Sequence, residues 1–524
     1  MSSERLATLL RDAKVETEVR AINSESVVIG RDVLELVTTA MYVDPMTVYR
    51  EYIQNAADSI DEARRERILP AETGGRIDIE IDVATRSVRL RDNGTGLAAR
   101  DFVQRLTALG ASCKRGTSAR GFRGVGRLAG LGYAQEIIFR SRASGERCVS
   151  ELRWDCKKLK SYLRSPDDKR DLAALITEIV SWGESPAGDY PAHFFEVELR
   201  GVVRLRSDNL LNASAIAEYL SQVAPVPFAP EFRFGAEIAS RLREHVNLDG
   251  LEIRVSGIDP PVYRPHGNAL GVEGKHQSVF ESVSFFEIPA VDGEPAAVGW
   301  VLHHGYEGAI PNDALIKGLR LRSGNIQVGD HALLEELFPE ARFNSWAVGE
   351  VHVLDPRVVT NGRRDNFEQN AHFHNLLNHL SPVARDIARR CRMSSVLRNR
   401  LREFELQATN VRETLDIVEQ AGVGDAERER LALSAELGLL RMDKIAGTEL
   451  PMADGPAAVQ ATITYLRDKL ARLMDDAVAD TSPLARLPEA QRKMYRHFFD
   501  LIYQCSTNRV AAKSLVDRIL LKLC

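Results

Sequence analysis

Three polar residues on one predicted helix constrain this chain more than any other feature. Glu51, Asn55 and Asp58 are spaced i, i+4, i+7, so on a helix they share one face. Two glycine-containing segments follow, first Asp92–Gly96 and then residues 121–126. A helix that directs Glu, Asn and Asp towards one point, followed by two glycine turns, has the parts of a binding site for ATP and Mg²⁺.

The first two hundred residues mix helices with alternating strands. A helix is predicted over 46–68, around the three polar residues. Arg76–Asp82 alternates strictly between polar and apolar residues, which indicates a half-buried strand, and Val88–Arg91 continues the pattern. A strand pair is predicted at 135–154 and a further strand at Phe194–Leu199. This mixture predicts an α/β sandwich.

The chain has 524 residues, more than a single hydrophobic core usually supports, so several domains are expected. Residues 203–235 contain a helix and a proline-rich turn and are interpreted as a connector. The following segment, 236–382, is predicted to be a second α/β unit. Its strands are predicted at Gly299–His304, Leu319–Arg322 and Val348–Leu354.

From about residue 383 the pattern becomes helical. Apolar residues recur in alternating steps of four and three, which is typical of a coiled-coil seam. The two seams could close within one chain as a bundle or between two chains as a dimer, and both alternatives stay open. They are formed by Leu397, Leu401, Phe404, Ala408, Val411, Leu415 and Val418, and by Val459, Ile463, Leu466, Leu470 and Leu473.

The whole chain is thus predicted to be an α+β protein in four segments. These are an ATP-binding α/β domain at 1–202, the connector at 203–235, a middle domain at 236–382 and a helical domain at 383–524. No apolar run approaches the ~20 residues that a membrane helix needs, and the beginning of the chain lacks an apolar signal core. We therefore expect a cytoplasmic protein.

Composition, cysteine spacing and the absence of two common motifs exclude several kinds of binding site. The net charge of −5 argues against a globally basic nucleic-acid-binding coat. The six cysteines form no C-x-x-C pair and no metal-ligand spacing, so reduced thiols are expected. No P-loop sequence and no dinucleotide-binding glycine motif after a strand occurs. A nucleotide site in this chain must therefore use other motifs.

Hydrolysis of ATP requires a metal that neutralises the phosphates and a group that activates or orients water. Glu51 is the candidate base, since a carboxylate near the γ-phosphate can accept the proton of the attacking water. Asn55, one turn further on, offers a neutral oxygen suited to Mg²⁺. Asp58 is expected near the base or the ribose.

The two glycine segments supply complementary groups. Asp92, at a strand end, can accept a hydrogen bond from an exocyclic amine such as that of adenine, and Gly94 and Gly96 let the backbone approach the base. Backbone N–H groups at a helix start bind phosphate, which predicts a phosphate-binding run before the stretch 127–133. This run comprises Gly121, Phe122, Arg123, Gly124, Val125 and Gly126.

In order and context, the three motifs resemble those of the GHKL ATPase superfamily, which includes gyrase, ninety-kilodalton heat-shock chaperones, histidine kinases and MutL. Arg50–Asp58 is similar to its first motif, Asp92–Gly96 to its second and Gly121–Gly126 to its third. The resemblance implies the GHKL (Bergerat) fold, ATPase activity, and ATP and Mg²⁺ as ligands. Ser112 and Lys114 are similar to the lid entry of the HtpG-type chaperones.

The HtpG-type resemblance extends into the middle segment. Val358–Phe367 resembles the loop that holds the catalytic arginine of these chaperones, which implies that Arg364 or its neighbour Arg363 reaches the γ-phosphate. Lys317 is a second candidate, by similarity to gyrase and MutL. A homodimer that acts as a clamp on a protein client or in a partner complex is the implied assembly.

The chain departs from the chaperone pattern in several places. Phe195 falls where those proteins usually carry a threonine on the phosphate side, and the tail 383–524 does not resemble their dimerisation domain. Two alternatives therefore stay open. One is a nucleic-acid-acting ATPase similar to MORC or MutL proteins, with basic runs at Arg390–Arg392 and Arg398–Arg400. The other is a nucleotide-gated subunit of a bacterial defence complex.

Overall fold

A computed structural model describes residues 44–70, 72–109, 120, 126–165, 170–204, 207–248, 250–270, 277–447, 456–475 and 483–523. The chain divides into two compact units. The first comprises Met1–His304 and Ile310–Val383, and the second comprises Gly305–Ala309 and Ala384–Cys524. The chain contains both helices and strands, which confirms the predicted α+β class.

The first unit contains a seven-stranded sheet in the order β5-β4-β3-β6-β2-β1-β7. Its neighbouring strands are antiparallel except β1 and β7, which run parallel. The strands are β1 Gly75–Asp82, β2 Ser87–Asp92, β3 Glu136–Arg142, β4 Cys148–Asp155, β5 Val180–Pro186, β6 Phe194–Arg200 and β7 Leu251–Val255. The strands predicted at 76–82, 88–91, 135–154 and 194–199 are thereby confirmed.

Helices cover one face of this sheet. The buried residues of five helices share one core with Ile77 and Ile79 of β1, whose neighbours Arg76 and Asp78 point to the opposite, charged face. The helices of the unit are α1 Thr47–Arg65, α2 Ala99–Thr107, α3 Cys156–Arg164, α4 Leu172–Ile179, α5 Ala213–Val223 and α6 Gly235–Arg243. The strict alternation of the strands therefore reflects a sheet that is apolar on one side only.

A second, five-stranded sheet has the order β10-β11-β14-β12-β13, and β8 and β9 form a separate pair. Trp300 and Leu302 of β11 pack against Ile238 and Leu242 of α6 in its core. The strands are β8 Ala269–Leu270, β9 Ser278–Val279, β10 Ser282–Pro289, β11 Pro295–His303, β12 Gly318–Ser323, β13 Ile326–Val328 and β14 Val348–Val353. The three strands predicted in this segment are confirmed.

The structure adds detail at the predicted connector. Helix α5, inside the connector 203–235, contributes Ile216 and Leu220 to the core of the seven-stranded sheet. Strand β7, inside the predicted middle domain, joins the edge of that sheet beside β1. Its alternate residues Leu251 and Ile253 extend the same apolar core, which explains the pairing. The domain boundaries themselves stay a prediction.

The C-terminal part of the described chain is helical. Seam residues such as Val411 and Leu415 share a core with Leu439 and with Val459 and Ile463, so residues of both predicted seams pack together within one chain. The helices are α7 Ala371–Glu419, α8 Asp425–Ala446, α9 Pro456–Met474, α10 Glu489–Cys505 and α11 Arg509–Leu523. Among the residues described, no helix combines the length and the apolar character that a membrane crossing demands.

Candidate active site

Helix α1 carries the predicted polar face. Glu51 and Asp58 are buried and Asn55 is half-buried. The helix is held in place by Tyr49, whose hydroxyl donates to the carbonyl of Leu210 at 2.6 Å. Burial raises the pKa of Tyr49, so this hydroxyl keeps its proton and the anchor stays a neutral hydrogen bond.

Glu51 is a buried carboxylate with two cationic neighbours near the upper limit of ion-pair distances. The Nη2 atom of Arg364 lies 3.6 Å from Oε2, and Nε of Arg50 lies 3.8 Å from Oε1. A Cβ atom on Gly126 would come within 2.2 Å of Oε2, so only glycine leaves room for the carboxylate there. Within the described residues, Glu51 is therefore enclosed and held by long ion pairs, so its oxygens keep capacity to accept a further hydrogen bond.

The loop around Arg364 is fixed through its backbone. The carbonyl of Arg364 accepts hydrogen bonds from the Gly329 N–H at 3.0 Å and from Nη1 of Arg50 at 3.3 Å. Nη2 of Arg50 also donates to the carbonyl of Arg363 at 2.7 Å. Arg364 has a φ of 57°, a left-handed conformation that a non-glycine residue adopts only when its surroundings hold it.

These contacts show that the side chains of the two predicted arginines have different environments. The side chain of Arg364 lies at Glu51, whereas the side chain of Arg363 is exposed and the loop uses its carbonyl. Arg50 belongs to the first sequence motif, but no role was predicted for it. The two carbonyl groups that accept from Arg50 lie far along the chain, so no sequence pattern indicates these hydrogen bonds. Only the fold reveals that Arg50 holds the loop around Arg364.

Asp92 ends strand β2 in a tight turn. Its Oδ1 atom accepts a hydrogen bond from the Gly94 N–H at 2.8 Å. A Cβ atom on Gly94 would lie 2.2 Å from the Ser59 hydroxyl, and one on Gly96, at a φ of 69°, would lie 2.2 Å from the Arg142 carbonyl. Both glycines are thus required for packing of the turn against α1 and β3, in addition to the nucleotide approach that the sequence suggests.

Phe195, the residue that departs from the chaperone pattern, lies directly opposite Asp92. The two residues are paired across β2 and β6, and directly opposed residues of antiparallel strands have side chains on the same face. The ring of Phe195 lies 6.0 Å from that of Phe139. A large apolar ring therefore stands beside the carboxylate that is expected to bind the adenine amine.

Asp58 is engaged by Arg120, which is not among the predicted site residues. Oδ1 of Asp58 accepts from the backbone N–H of Arg120 at 3.0 Å and from its Nη1 at 3.3 Å. The same Nη1 donates to Asp61 at 2.6 Å, and Nε donates to the carbonyl of Gly324 at 2.6 Å. An arginine within a polar segment gives no sequence signal for such a pairing.

Other predicted residues make local contacts or lie outside the described part of the chain. Lys317 donates to Asn312 at 2.7 Å, within its own loop. Gly126 begins the 3₁₀ helix Gly126–Gly132, where an apolar helical stretch was predicted. The remaining predicted residues lie outside the described part of the chain, namely Ser112, Lys114, Gly121, Phe122, Arg123, Gly124 and Val125.

The chemistry of the described residues fits a nucleotide with a metal held mainly by phosphate. The described residues contain no group of three or more His, Cys, Asp or Glu side chains that could hold a metal by themselves. Mg²⁺ often binds through one or two protein oxygens plus phosphate and water, a role that Asn55 can fill. Nε2 of the buried Gln54 has no hydrogen-bond partner within the described residues, so a donor remains beside Asn55.

Comparison with known proteins agrees with this site. A family model described as histidine kinase-, DNA gyrase B- and HSP90-like ATPase matches residues 44–174, which include α1, the Asp92 turn and Gly126. Chaperone proteins HtpG of several bacteria are similar to the chain, and three of them are compared with it below. That of Polaromonas naphthalenivorans is 25% identical over 194 residues, which cover 34% of this chain and 30% of the relative.

The other two matches are of similar extent. HtpG of Nitrobacter winogradskyi is 29% identical over 180 residues, covering 30% of this chain and 28% of the relative. HtpG of Rickettsia typhi is 24% identical over 195 residues, covering 34% of this chain and 30% of the relative. The similarity thus spans less than a third of the length of these relatives. Residues 44–174 therefore match the family of histidine kinase-, DNA gyrase B- and HSP90-like ATPases, and the chain is similar, in about a third of its length, to HtpG-type chaperones.

Proposed function

We propose that this protein binds and hydrolyses ATP with Mg²⁺ and uses the reaction to change conformation, as a chaperone or remodelling ATPase that acts on protein. The proposal rests on one observation above all. The guanidinium of Arg364 lies 3.6 Å from the carboxylate of Glu51, although hundreds of residues separate them in the chain. A carboxylate on helix α1 and an arginine from the loop that follows β14 are thereby brought to one point.

In the proposed reaction, Glu51 orients the attacking water and accepts its proton. Gly126 packs directly against this carboxylate, since a Cβ atom there would come within 2.2 Å of Oε2. Arg364 stabilises the negative charge of the phosphoryl group in the transition state, the role that arginines have in many phosphoryl-transfer sites. Its backbone is already held by Arg50 and Gly329, so little ordering is required when the phosphate arrives.

Binding of the nucleotide is assigned to the other motif residues. Asp92 accepts a hydrogen bond from the adenine amine, and Asn55 contributes a ligand oxygen to Mg²⁺. The metal, when bound, neutralises phosphate charge. Phe195 supplies an apolar surface next to Asp92, which suits an aromatic base.

A protein target is preferred to nucleic acid for a structural reason. In the basic runs of the helical region, Arg390 donates to Asp386 at 3.0 Å and Arg398 donates to the carbonyl of Tyr306 at 2.8 Å. These guanidinium groups are therefore already engaged within the chain. We propose a homodimer as the working assembly and a protein client or partner complex as the target.

The test compares ATP binding and ATP turnover in the wild type, Glu51→Ala and Arg364→Ala. Arg342→Ala is the matched control, because Arg342 is an exposed arginine that pairs with its neighbour Glu340. Binding without turnover is expected for Glu51→Ala, and a larger loss of rate than of affinity for Arg364→Ala. Wild-type protein that binds ATP without turnover, alone and with DNA, would favour the nucleotide-gated subunit. Failure to bind ATP would reject the proposal.

A further inference from the structure

Arg120 connects the nucleotide helix to the second sheet. On one side its guanidinium and backbone N–H bind the carboxylates of Asp58 and Asp61, both on α1. On the other side its Nε donates to the carbonyl of Gly324 at 2.6 Å. Gly324 belongs to the turn between β12 and β13. One arginine therefore connects helix α1 with the turn of the β12–β13 hairpin.

The turn is shaped to receive the arginine. Gly324 has a φ of 55°, and a Cβ atom there would come within 2.7 Å of the Cγ atom of Arg120. The side chain of Arg120 is only 11% exposed, and Asp58 is 4% exposed. Charge-assisted hydrogen bonds in such an enclosed setting are stronger than those at an open surface.

The other end of the same hairpin holds the candidate catalytic arginine. Strand β13 ends at Val328, and the N–H of the next residue, Gly329, donates to the carbonyl of Arg364 at 3.0 Å. Arg364 in turn lies at Glu51. The hairpin is therefore attached to helix α1 at two points, through Arg120 at Asp58 and through Arg364 at Glu51.

Glu51 and Asp58 are seven residues apart, two turns of one helix face, so the two attachments fix both the position and the direction of the hairpin. We propose that Arg120 is a positioning residue for Arg364, which it aligns with Glu51 by holding the β12–β13 hairpin against α1. Asp58 then acts mainly as the acceptor of Arg120. This inference rests on the proposed ATPase function and adds a residue that aligns its catalytic arginine.

A double-mutant cycle tests the inference, with ATP turnover and ATP affinity measured for wild type, Arg120→Ala, Arg364→Ala and the double variant. Arg120→Ala is expected to lower kcat about 10-fold or more while the Kd for ATP changes less than about 3-fold. In the Arg364→Ala background, loss of Arg120 is expected to have no further effect on kcat, because Arg120 acts through Arg364.

A second variant covers the case in which Arg120→Ala misfolds. Gly324→Ala places a methyl group against Arg120 and is expected to lower kcat, and its effect should shrink when Arg364 is also alanine. Gly293→Ala is the control, since Gly293 has a φ of 90° in the β10–β11 turn and a Cβ atom there would meet nothing within 4 Å. It introduces backbone strain in a hairpin without touching Arg120.

The outcomes separate this inference from the proposed function. Absence of ATP turnover in the wild type would reject the proposed function itself. An active wild type with an inactive Arg364→Ala and a normal Arg120→Ala would reject only the positioning role. Multiplicative effects of Arg120→Ala and Arg364→Ala would also overturn it, because Arg120 would then act independently of Arg364.

Discussion

Two buried glutamates of the first unit, Glu350 and Glu51, are both surrounded by arginines, but their partners are arranged differently. Glu350 on β14 receives hydrogen bonds from Arg322 at 2.6 Å, from Arg264 and from His352. Burial acts to raise its pKa, but the charges of Arg264 and Arg322 outweigh burial and hold the pKa of Glu350 well below its ordinary value. Both carboxylate oxygens are therefore occupied.

Among the residues that the structure describes, Glu51 has only long ion pairs to Arg364 and Arg50, at 3.6 and 3.8 Å. The difference indicates two uses of buried charge. A structural carboxylate is stabilised because its partners donate hydrogen bonds to both of its oxygens. A carboxylate that must bind water and release a proton keeps hydrogen-bond acceptor capacity for the substrate. Mutations at the two glutamates should consequently differ in whether they affect stability or turnover.

The largest expected effect is on stability, in Glu350→Gln. This change leaves the guanidinium groups of Arg264 and Arg322 buried without a countercharge, and such a loss typically costs about 3–5 kcal/mol. Urea-induced unfolding followed by tryptophan fluorescence measures it, because the four tryptophans all lie in the first unit. A loss below about 1 kcal/mol would mean that Glu350 is not the centre of the cluster. The tryptophans are Trp154, Trp182, Trp300 and Trp346.

Glu51→Gln should show the opposite balance. Loss of the base is expected to lower ATP turnover by about 100-fold or more. The free energy of unfolding should change by less than about 1 kcal/mol, since the ion pairs of Glu51 are long. The same urea titration and a steady-state ATPase assay measure both quantities. A stability loss as large as that of Glu350→Gln would contradict the proposed distinction.

Acid should weaken the Glu350 cluster through its histidines. Burial lowers the pKa of His352 to about 4 and that of His266 to about 3, below the ordinary value of 6.5. As the pH falls below 6.5, the unfolded chain binds protons that the folded chain does not bind, so stability decreases. Each histidine contributes about 1.4 kcal/mol per pH unit in the window between 6.5 and its folded pKa.

His266→Phe isolates this effect. The ring of His266 packs edge-on against Phe228 and Trp300, so phenylalanine should fit and remove the titrating group. The slope of unfolding free energy between pH 6 and pH 5 is then expected to fall by about 1.4 kcal/mol per pH unit. An unchanged slope would show that His266 is protonated in the folded protein or already neutral in the unfolded chain.

The smallest effect is expected for an exposed ion pair, Arg342 with Glu340. The side chain of Arg342 is 69% exposed, and such pairs typically contribute about 0.2–1 kcal/mol. Glu340→Ala should therefore shift the urea midpoint only slightly, and added salt should reduce the difference further. A change comparable to that of Glu350→Gln would mean that enclosure does not decide the strength of these pairs.

The local elements could be predicted because they depend on neighbours in sequence. Helical spacing was sufficient to place Glu51, Asn55 and Asp58 on one face of α1, and strict alternation was sufficient for β1 and β2. The expectation that Arg364 acts with Glu51 came from family resemblance rather than from spacing, and the structure places the two side chains side by side.

The buried cluster shows where the pattern was insufficient. Glu350 and His352 alternate with apolar residues along β14, which predicts a polar, solvated face, yet all six residues of the strand are buried. Arg322 explains this, because it donates to the carbonyl of Gln222 at 2.7 Å at the end of α5. Backbone from the predicted connector covers that face of the sheet, and no alternation within β14 can report it.

Periodicity thus specified the helices and the strands, since these depend on the conformations and side-chain directions of neighbouring residues. The glycine motifs led to the prediction of a nucleotide ligand. The tertiary structure decided which charges meet. It brought Arg364 to Glu51 and Arg120 to Asp58 and Gly324. It also enclosed Glu350 together with Arg264 and Arg322. Such pairings depend on contacts between distant segments, because a buried charge is tolerated only where the whole fold supplies its partners.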